Sequence, residues 1–513
     1  MSRICLIVLL CYVFPLDAQD AKYWILLKDK DEQNYNYQEH LSPQAIENRK
    51  RLNIPLHQYS DIPISHDYLQ KLTSEGIQPI VKSKWLNAIS ADLTADQIKW
   101  LKQQSFVKRI VLIDRRFKVL EFNPWENLSY ATAISQMEPD AFQKLKLNGK
   151  GVTIGVIDAG FYDSHRRRSL SEVLAENRVL GVRDFVNPKN KELFRKPETA
   201  SDSHGTRVME MIAGRRLSNS KQYGLATHAS FYLARTDDGN NEFRGEEDYW
   251  IAAMEWMDSL GVRIINTSLG YSLGFDNPDE NYKPDEMDGK TALISQAAQI
   301  AVDEKGILLI VSAGNEGLDP DWKVVSAPAD AKGVMSVGAT NRSGSKAPYS
   351  SIGPLNLGYL KPNISCYSAD GTSFSAPVIT GFAACLMQKD PYATNKKIAQ
   401  IIEQSASLYP YGNNYIGYGI PKAAKAINLI NGKTIESSIT EKLAKGKDQV
   451  ILKTKNNKEH GHALVFHKSN DTQVVREQYV RISKGKIKLK RPKRTNKSTV
   501  VISDMEGFEV TWN

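Results

Sequence analysis

The sequence predicts an α/β protein built on a doubly wound parallel sheet, with a small α+β unit before it and a small β unit after it. Three observations point there. Between Gly151 and about residue 427, five near-continuous apolar runs alternate with helical stretches, the pattern of strands covered on both faces by crossover helices. The stretch before it reads β-α-β-β-α-β, the order of a ferredoxin-like split unit. The stretch after it holds only strand-like runs.

The five central runs are VTIGVI (152–157), ASFYLA (229–234), RIINTS (263–268), ILLIVS (307–312) and VMSVGA (334–339). Helices are predicted over Glu246–Leu260, Lys290–Glu304 and Ser375–Gln388. Upstream, KYWILL (Lys22–Leu27) reads as a strand, Asp67–Gly76 as a helix, Ile77–Leu93 as two strands, Thr94–Gln104 as a helix and Val107–Ile113 as a closing strand. An extra helical stretch, Ser42–Leu52, interrupts that order. Arg115–Ile134 lacks pattern and reads as a linker. From about Lys433 to Asn513, the runs QVILKT, HALVFHK, GKIKLK and STVVIS predict a small antiparallel β unit.

At 513 residues the chain exceeds one ordinary domain, and 41% hydrophobic with 24% charged residues is a globular composition. The opening MSRICLIVLLCYVFPLDAQD pairs basic Arg3 with an apolar run, Ile4–Phe14, and a small residue, Ala18. That is the signal-peptide pattern, and the run is short for a membrane span. Export to the extracellular space or periplasm is expected, as a soluble protein. Cys5 and Cys11 would leave with the signal, so Cys366 and Cys385 remain; whether they pair stays open. Cys385, inside VITGFAACLM, reads as a small buried hydrophobe. The formal charge of +9 lies wholly in residues 431–513, with 18 basic against 9 acidic residues. There Lys484, Lys486, Lys488 and Lys490 alternate and would share one strand face, with Ile487 and Leu489 on the other. This is either a solvated face or an attraction for anionic cell-surface polymers. No nucleic-acid motif accompanies it, so nucleic acid is not an expected partner.

Four short motifs carry chemistry. GVIDAGF puts Asp158 directly after an apolar strand, where open α/β sheets collect functional groups. DSHGTRVMEMIAG opens a helix with His204, anchored behind by Val208, Met211 and Ile212. DGTSFSAPVITGFAACLM sets Ser373 at the entrance to an apolar helix, whose free N–H groups and dipole favour a developing oxyanion. VSAGNEG presents Asn315 in a Gly-flanked turn. Taken singly, each has a plainer reading: a capping Asp, a surface His, a Ser N-cap, a turn Asn.

Together, in this chain order, the motifs resemble the subtilisin-like serine peptidases, the subtilases. The resemblance covers about Leu128–Ile430 and includes YSSIGP (349–354) and GYGIPKAAKAI (417–427). It implies a subtilisin-like fold and a serine endopeptidase acting on protein or peptide substrates through an acyl-enzyme on Ser373. His204 would be general base and acid, oriented by Asp158, with Asn315 in the oxyanion hole. Ser268, Leu269 and Gly270 would pair with substrate, and Ala313 and Gly314 would line its pocket. The resemblance implies no required cofactor. Calcium is common in the family, but no carboxylate cluster here has a spacing that places it.

Residues 22–114 resemble a subtilase propeptide, and the sequence resembles secreted subtilases of Bacteroidetes. The expected division is a signal peptide (1–18), a propeptide-like inhibitor and chaperone with linker (19–127), a catalytic domain (128–430) and a basic β unit (431–513). Two positions depart from the family pattern. Arg207 stands where a second His is usual, and D-A-G replaces D-[TS]-G, removing a hydroxyl beside Asp158. His165 lacks the HGT setting and reads as a loop residue. The competing expectation is a catalytically silent subtilase fold acting as an exported binding or scaffold protein. A lipase-type hydrolase would need G-x-S-x-G and the order Ser, Asp, His, and has neither here.

Overall fold

Four antiparallel strands open the chain in the computed structural model, β1 (Ala21–Leu27), β2 (Val81–Ser83), β3 (Ala88–Leu93) and β4 (Val107–Asp114), ordered β2-β3-β1-β4. The structure describes residues 21–32, 35–114, 129–192, 194, 200–216, 221–238, 244–273, 281–446, 448–456, 458–503 and 506–512. The expected signal peptide and most of the linker lie outside these. Alternation along β1 explains how this unit packs. Ile25 and Leu27 meet Leu72 and Leu101 from the unit's own helices. Trp24 and Leu26 face the other way and join Trp250, Ile251 and Met254 of the next domain. Helix Ala95–Leu101 starts from a capping box between Thr94 and Gln97. The interrupting stretch is a real helix, Pro43–Arg51, capped by the Ser42 hydroxyl. The predicted linker ends early, because Ser129–Gln136 is helical.

The central sheet comprises β5 (Thr153–Asp158), β6 (Val179–Asp184), β9 (Ser230–Arg235), β10 (Ile264–Thr267), β11 (Leu308–Ser312), β12 (Met335–Thr340) and β13 (Ile364–Tyr367). A two-residue ribbon, β7 (Arg215–Arg216) with β8 (Lys221–Gln222), lies apart from it. The seven strands are parallel and ordered β13-β12-β11-β10-β5-β9-β6. Two of them, β6 and β13, are additional to the five predicted. Both are edge strands: β6 is largely half-exposed, so it lacks an apolar run, and β13 is only four residues long.

Helices His204–Ala213, Ala376–Lys389 and Asn395–Ser405 cover one face, against Ile154, Val156, Leu308 and Ile310. Helices Glu246–Ser259 and Leu293–Asp303 cover the other, against Ile157, Ile265, Leu309 and Val311. The chain reverses its winding between β5 and β10, which opens a crevice at their C-terminal ends.

The C-terminal sheet is larger than expected and not purely antiparallel. It holds β14 (Ile439–Ala444), β15 (Gln449–Lys453), β16 (Gly461–Lys468), β17 (Val474–Ser483), β18 (Lys486–Lys490), β19 (Lys497–Ser503) and β20 (Glu506–Trp512). β14 pairs parallel to β20 while the other pairings are antiparallel. Ile487 and Leu489 are buried and Lys486, Lys488 and Lys490 exposed, as the alternation requires. Lys484 is not on that face, because it sits in the β17–β18 turn with φ 49°. Leu464 and Phe466 pack against Leu408 and Ile416, seating the sheet on the central domain.

Cys366 and Cys385 are unpaired and buried. Their thiols donate to the carbonyls of Ser375 and Leu147, each at 3.4 Å, and burial pushes both pKa values up. Among the described residues no helix is long and apolar enough to cross a membrane.

Candidate active site

Asp158 is the last residue of β5 and is fully buried at the mouth of the crevice. Its Oδ1 accepts from the Ala159 N–H at 2.9 Å and from His204 Nδ1 at 2.7 Å. Oδ2 has no hydrogen-bond partner among the described residues. That is what a D-A-G motif leaves behind, since the Ala159 side chain brings no hydroxyl to it. His204 begins its helix and is partly exposed. Gly205 lets the helix approach β5: a Cβ there would stand 2.4 Å from the Gly160 carbonyl oxygen and 3.0 Å from Asp158 Cβ. Thr206 is structural, its hydroxyl donating to the Tyr162 carbonyl at 2.7 Å.

Ser373 lies in a 3₁₀ turn, Thr372–Phe374, leading into helix Ala376–Lys389 with Pro377 in its first turn. The Phe374 ring sits 5.2 Å from the His204 ring, so the Ser373 turn and the His204 helix meet at the crevice. The Ser373 hydroxyl donates to the Ser268 carbonyl at 3.1 Å, and the Ser268 hydroxyl donates back to the Ser373 carbonyl at 2.8 Å. Behind this pair, Asn266 Nδ2 reaches Ser268 Oγ at 3.2 Å and Thr380 Oγ1 donates to Asn266 Oδ1 at 2.9 Å. β10 and the Ser373 helix are thereby bolted together.

Asn315 follows β11. Its Oδ1 accepts from the Thr372 N–H at 2.9 Å and the Thr372 hydroxyl at 3.0 Å. With Oδ1 so engaged, the Nδ2 amide is the end left to donate. The Ser373 N–H also has no backbone acceptor among the described residues. Two donors, from separate loops, are therefore available beside one hydroxyl, which is the arrangement that stabilises an oxyanion.

The residues expected to contact substrate divide into two kinds. Ser268, Leu269 and Gly270 run on from β10, and Gly270 makes no backbone hydrogen bond among the described residues, leaving its groups available to an extended chain. Ala313 and Gly314 are different, because their backbone groups are already used. Ala313 bonds Val337 and Ser326, while the Gly314 N–H donates to the Thr372 hydroxyl at 3.1 Å and its carbonyl accepts from the Ser351 N–H at 3.1 Å. They can supply wall, not strand pairing.

Arg207 sets its guanidinium 4.1 Å from the Phe374 ring centroid, paired to Asp370 at 3.4 Å. His165 falls in a short 3₁₀ turn, Ser164–Arg166, outside the cluster. Sequence reasoning missed Arg235, which ends β9 opposite Asp158. This buried guanidinium donates to the Ala159 carbonyl at 3.1 Å and pairs with Asp184 at 3.2 Å and Asp202 at 3.4 Å. It thus joins the strand end carrying Asp158 to the turn preceding His204. The available signal was a charge closing an apolar strand run. Among the described residues no group of three His, Cys, Asp or Glu side chains converges as metal ligands.

The family model described as the subtilase family, Peptidase S8, matches residues 149–419, and a Peptidase S8 propeptide domain of Bacteroidota matches residues 22–126. The chain is 28% identical to Subtilisin NAT of Bacillus subtilis subsp. natto over 351 residues, covering 66% of this chain and 80% of the relative. It is 26% identical to a thermostable alkaline protease of Halalkalibacterium halodurans over 397 residues, 74% of this chain and 89% of that one. The epidermin leader peptide processing serine protease of Staphylococcus aureus superposes with a TM-score of 0.55 at 14% identity, covering 80% of this chain and all of that one; at that identity it speaks for the fold alone. The chain belongs to the subtilase family, as a serine endopeptidase that carries its own propeptide domain.

Proposed function

We propose that this protein is an exported zymogen whose catalytic domain cleaves peptide bonds through an acyl-enzyme on Ser373. The observation that carries the reading is the 2.7 Å bond from His204 Nδ1 to buried Asp158, beside a serine turn with two free oxyanion donors. Because Nδ1 is committed to Asp158, Nε2 is the nitrogen that takes the Ser373 proton. The hydroxyl must first exchange its bond to the Ser268 carbonyl for one to His204, a rotation about χ1. Attack on the scissile carbonyl then places the oxyanion between Asn315 Nδ2 and the Ser373 N–H. His204 returns the proton to the leaving amine, and water releases the acyl group by the same route. The substrate lies extended along Ser268–Gly270, with Ala313 and Gly314 forming the wall of its side-chain pocket.

The division at residues 18, 127 and 430 belongs to the same reading. The signal directs export, the propeptide folds on the catalytic domain, and Ser373 cuts the chain after it by proximity. The exposed Lys453, Lys486, Lys488 and Lys490 of β15 and β18 favour contact with anionic cell-surface polymers. The direct test is expression of Ser373→Ala: the expected product is one chain of full length less the signal. Normal processing of that variant in a protease-free system would overturn the reading.

A further inference from the structure

The helix Pro43–Arg51 and the loop after it are additional to the ferredoxin-like plan, and they do not approach the crevice. They dock on the ends of the two helices that carry the propeptide domain. Helix Glu246–Ser259 leads into the N-terminal end of β10, and helix Leu293–Asp303 into the N-terminal end of β11. Asp158, Ser268 and Asn315 stand at the opposite, C-terminal edge. The depth of the sheet therefore separates this contact from the catalytic residues.

The contact supplies what helix C-termini lack, namely donors for their last carbonyls. The Ser42 N–H donates to the Ser259 carbonyl at 2.8 Å, and Asn48 Nδ2 to the Gly261 carbonyl at 2.7 Å. Gln58 Nε2 donates to the Glu304 carbonyl at 2.9 Å, at the end of the second helix. Gly261 has φ 83°, the left-handed helix stop, and a Cβ there would lie 2.7 Å from the Ala45 nitrogen. The fit is thus backbone against backbone.

Beneath these caps, four buried charges cross the boundary in both directions. Propeptide Arg49 binds Asp61 through both its terminal nitrogens and also binds catalytic-domain Asp258 at 2.9 Å. Catalytic-domain Lys305 binds propeptide Asp61 at 2.9 Å, along with the Ser60 hydroxyl at 2.6 Å and Gln58 Oε1 at 2.8 Å. Two cations and two anions balance, and departure of the propeptide breaks the Arg49–Asp258 and Lys305–Asp61 pairs together. The propeptide's β-sheet grips elsewhere: Ser83 and the Trp85 N–H hold Glu255, and Lys22 holds Asp248 at 2.8 Å.

We propose that residues 42–61 are a clamp, remote from the active site, that caps the C-termini of both docking helices and sets how long the propeptide stays bound after the chain is cut. This rests on the zymogen reading for its consequence, but the clamp itself is a structural statement. Occlusion of the crevice and retention of the propeptide are then carried by different segments.

Two measurements on the full chain test it. In an uncut Ser373→Ala background, Asn48→Ala with Gln58→Ala removes two caps and no charge. Amide exchange near Gly261–Val262 and Lys305–Ile307 should accelerate about fivefold, as expected for losing about one net hydrogen bond at each end. Unchanged exchange there overturns the clamp, whatever the protein's activity. In the otherwise native chain, the same pair, and separately Arg49→Met, should hasten the appearance of activity after cleavage by tenfold or more. The kcat/KM of the fully matured enzyme should stay the same, because the altered residues leave with the propeptide. Release at the native rate overturns the proposal. If the native chain never becomes active, the protease reading fails instead, and the exchange result still decides the clamp.

Discussion

Adding a single methyl group at Gly205 tests whether the Asp158–His204 geometry is held by close backbone approach. In an ordinary helix, Gly→Ala gains about 0.5–1 kcal/mol from backbone entropy. Here the new Cβ would meet the Gly160 carbonyl oxygen at 2.4 Å, a Phe161 ring carbon at 2.8 Å and Asp158 Cβ at 3.0 Å. The first contact is roughly 1 Å short of van der Waals separation, and the atom it meets is backbone, which cannot swing aside. The His204 helix must therefore move off β5 by a similar amount. The 2.7 Å bond between His204 and Asp158 spans the same gap, and an added ångström takes it out of hydrogen-bond range. Overpacking costs about 1–3 kcal/mol, so Gly205→Ala should lower net stability despite the helix gain. A misplacement of about 1 Å should cost on the order of 10²-fold in kcat, with little change in KM. The assay is kcat and KM on a peptide amide, alongside Tm; if maturation stalls, a trace of native enzyme can cut the chain in trans. Native kcat together with a raised Tm would refute the close-approach argument.

Other expectations follow from neighbouring features. Asn315→Ala should lose about 10²–10³ in kcat, the size known for a subtilisin's own oxyanion donor, while KM barely moves; a KM effect at native kcat would make Asn315 a substrate-binding residue. In the C-terminal sheet, the His467 ring is held between Ser498 Oγ and Gln478 Nε2 at 2.8 and 2.9 Å. Burial, with help from Arg476, pushes its pKa down to about 4. The unfolded chain therefore binds the proton first. This contribution to stability is complete above about pH 6.5 and is lost as pH falls toward 4, by at most about 3 kcal/mol. His467→Asn should flatten the stability slope of this sheet between those pH values, and an unchanged slope would assign acid lability to other groups.

What the sequence made legible was whatever a short stretch of chain determines by itself. Asp158, His204, Ser373 and Asn315 each sit at a strand end or helix entrance written within a few residues, and the structure places all four around one crevice. The Ser42–Leu52 helix was legible for the same reason, as a locally helical stretch. Its purpose was not, because Arg49 meets Asp258 across 209 residues and local pattern says nothing of such a partner. The same limit hid Arg235 and the Asn266–Thr380 link, whose meaning depends on neighbours from other strands. Strand β6 was missed because an edge strand is half wet and loses its apolar signature. The parallel pairing of β14 with β20 brings together segments from the two ends of the unit, which no alternation of residues encodes.

The central claim is that Ser373 is the nucleophile, activated by His204 and Asp158. The most direct measurement is intact and peptide-level mass spectrometry after a fluorophosphonate probe is added to the matured protein. One adduct is predicted per chain, on the peptide containing Ser373, rising in step with the loss of peptidase activity and missing from Ser373→Ala. An adduct on another serine, or full labelling and turnover in Ser373→Ala, would contradict the assignment.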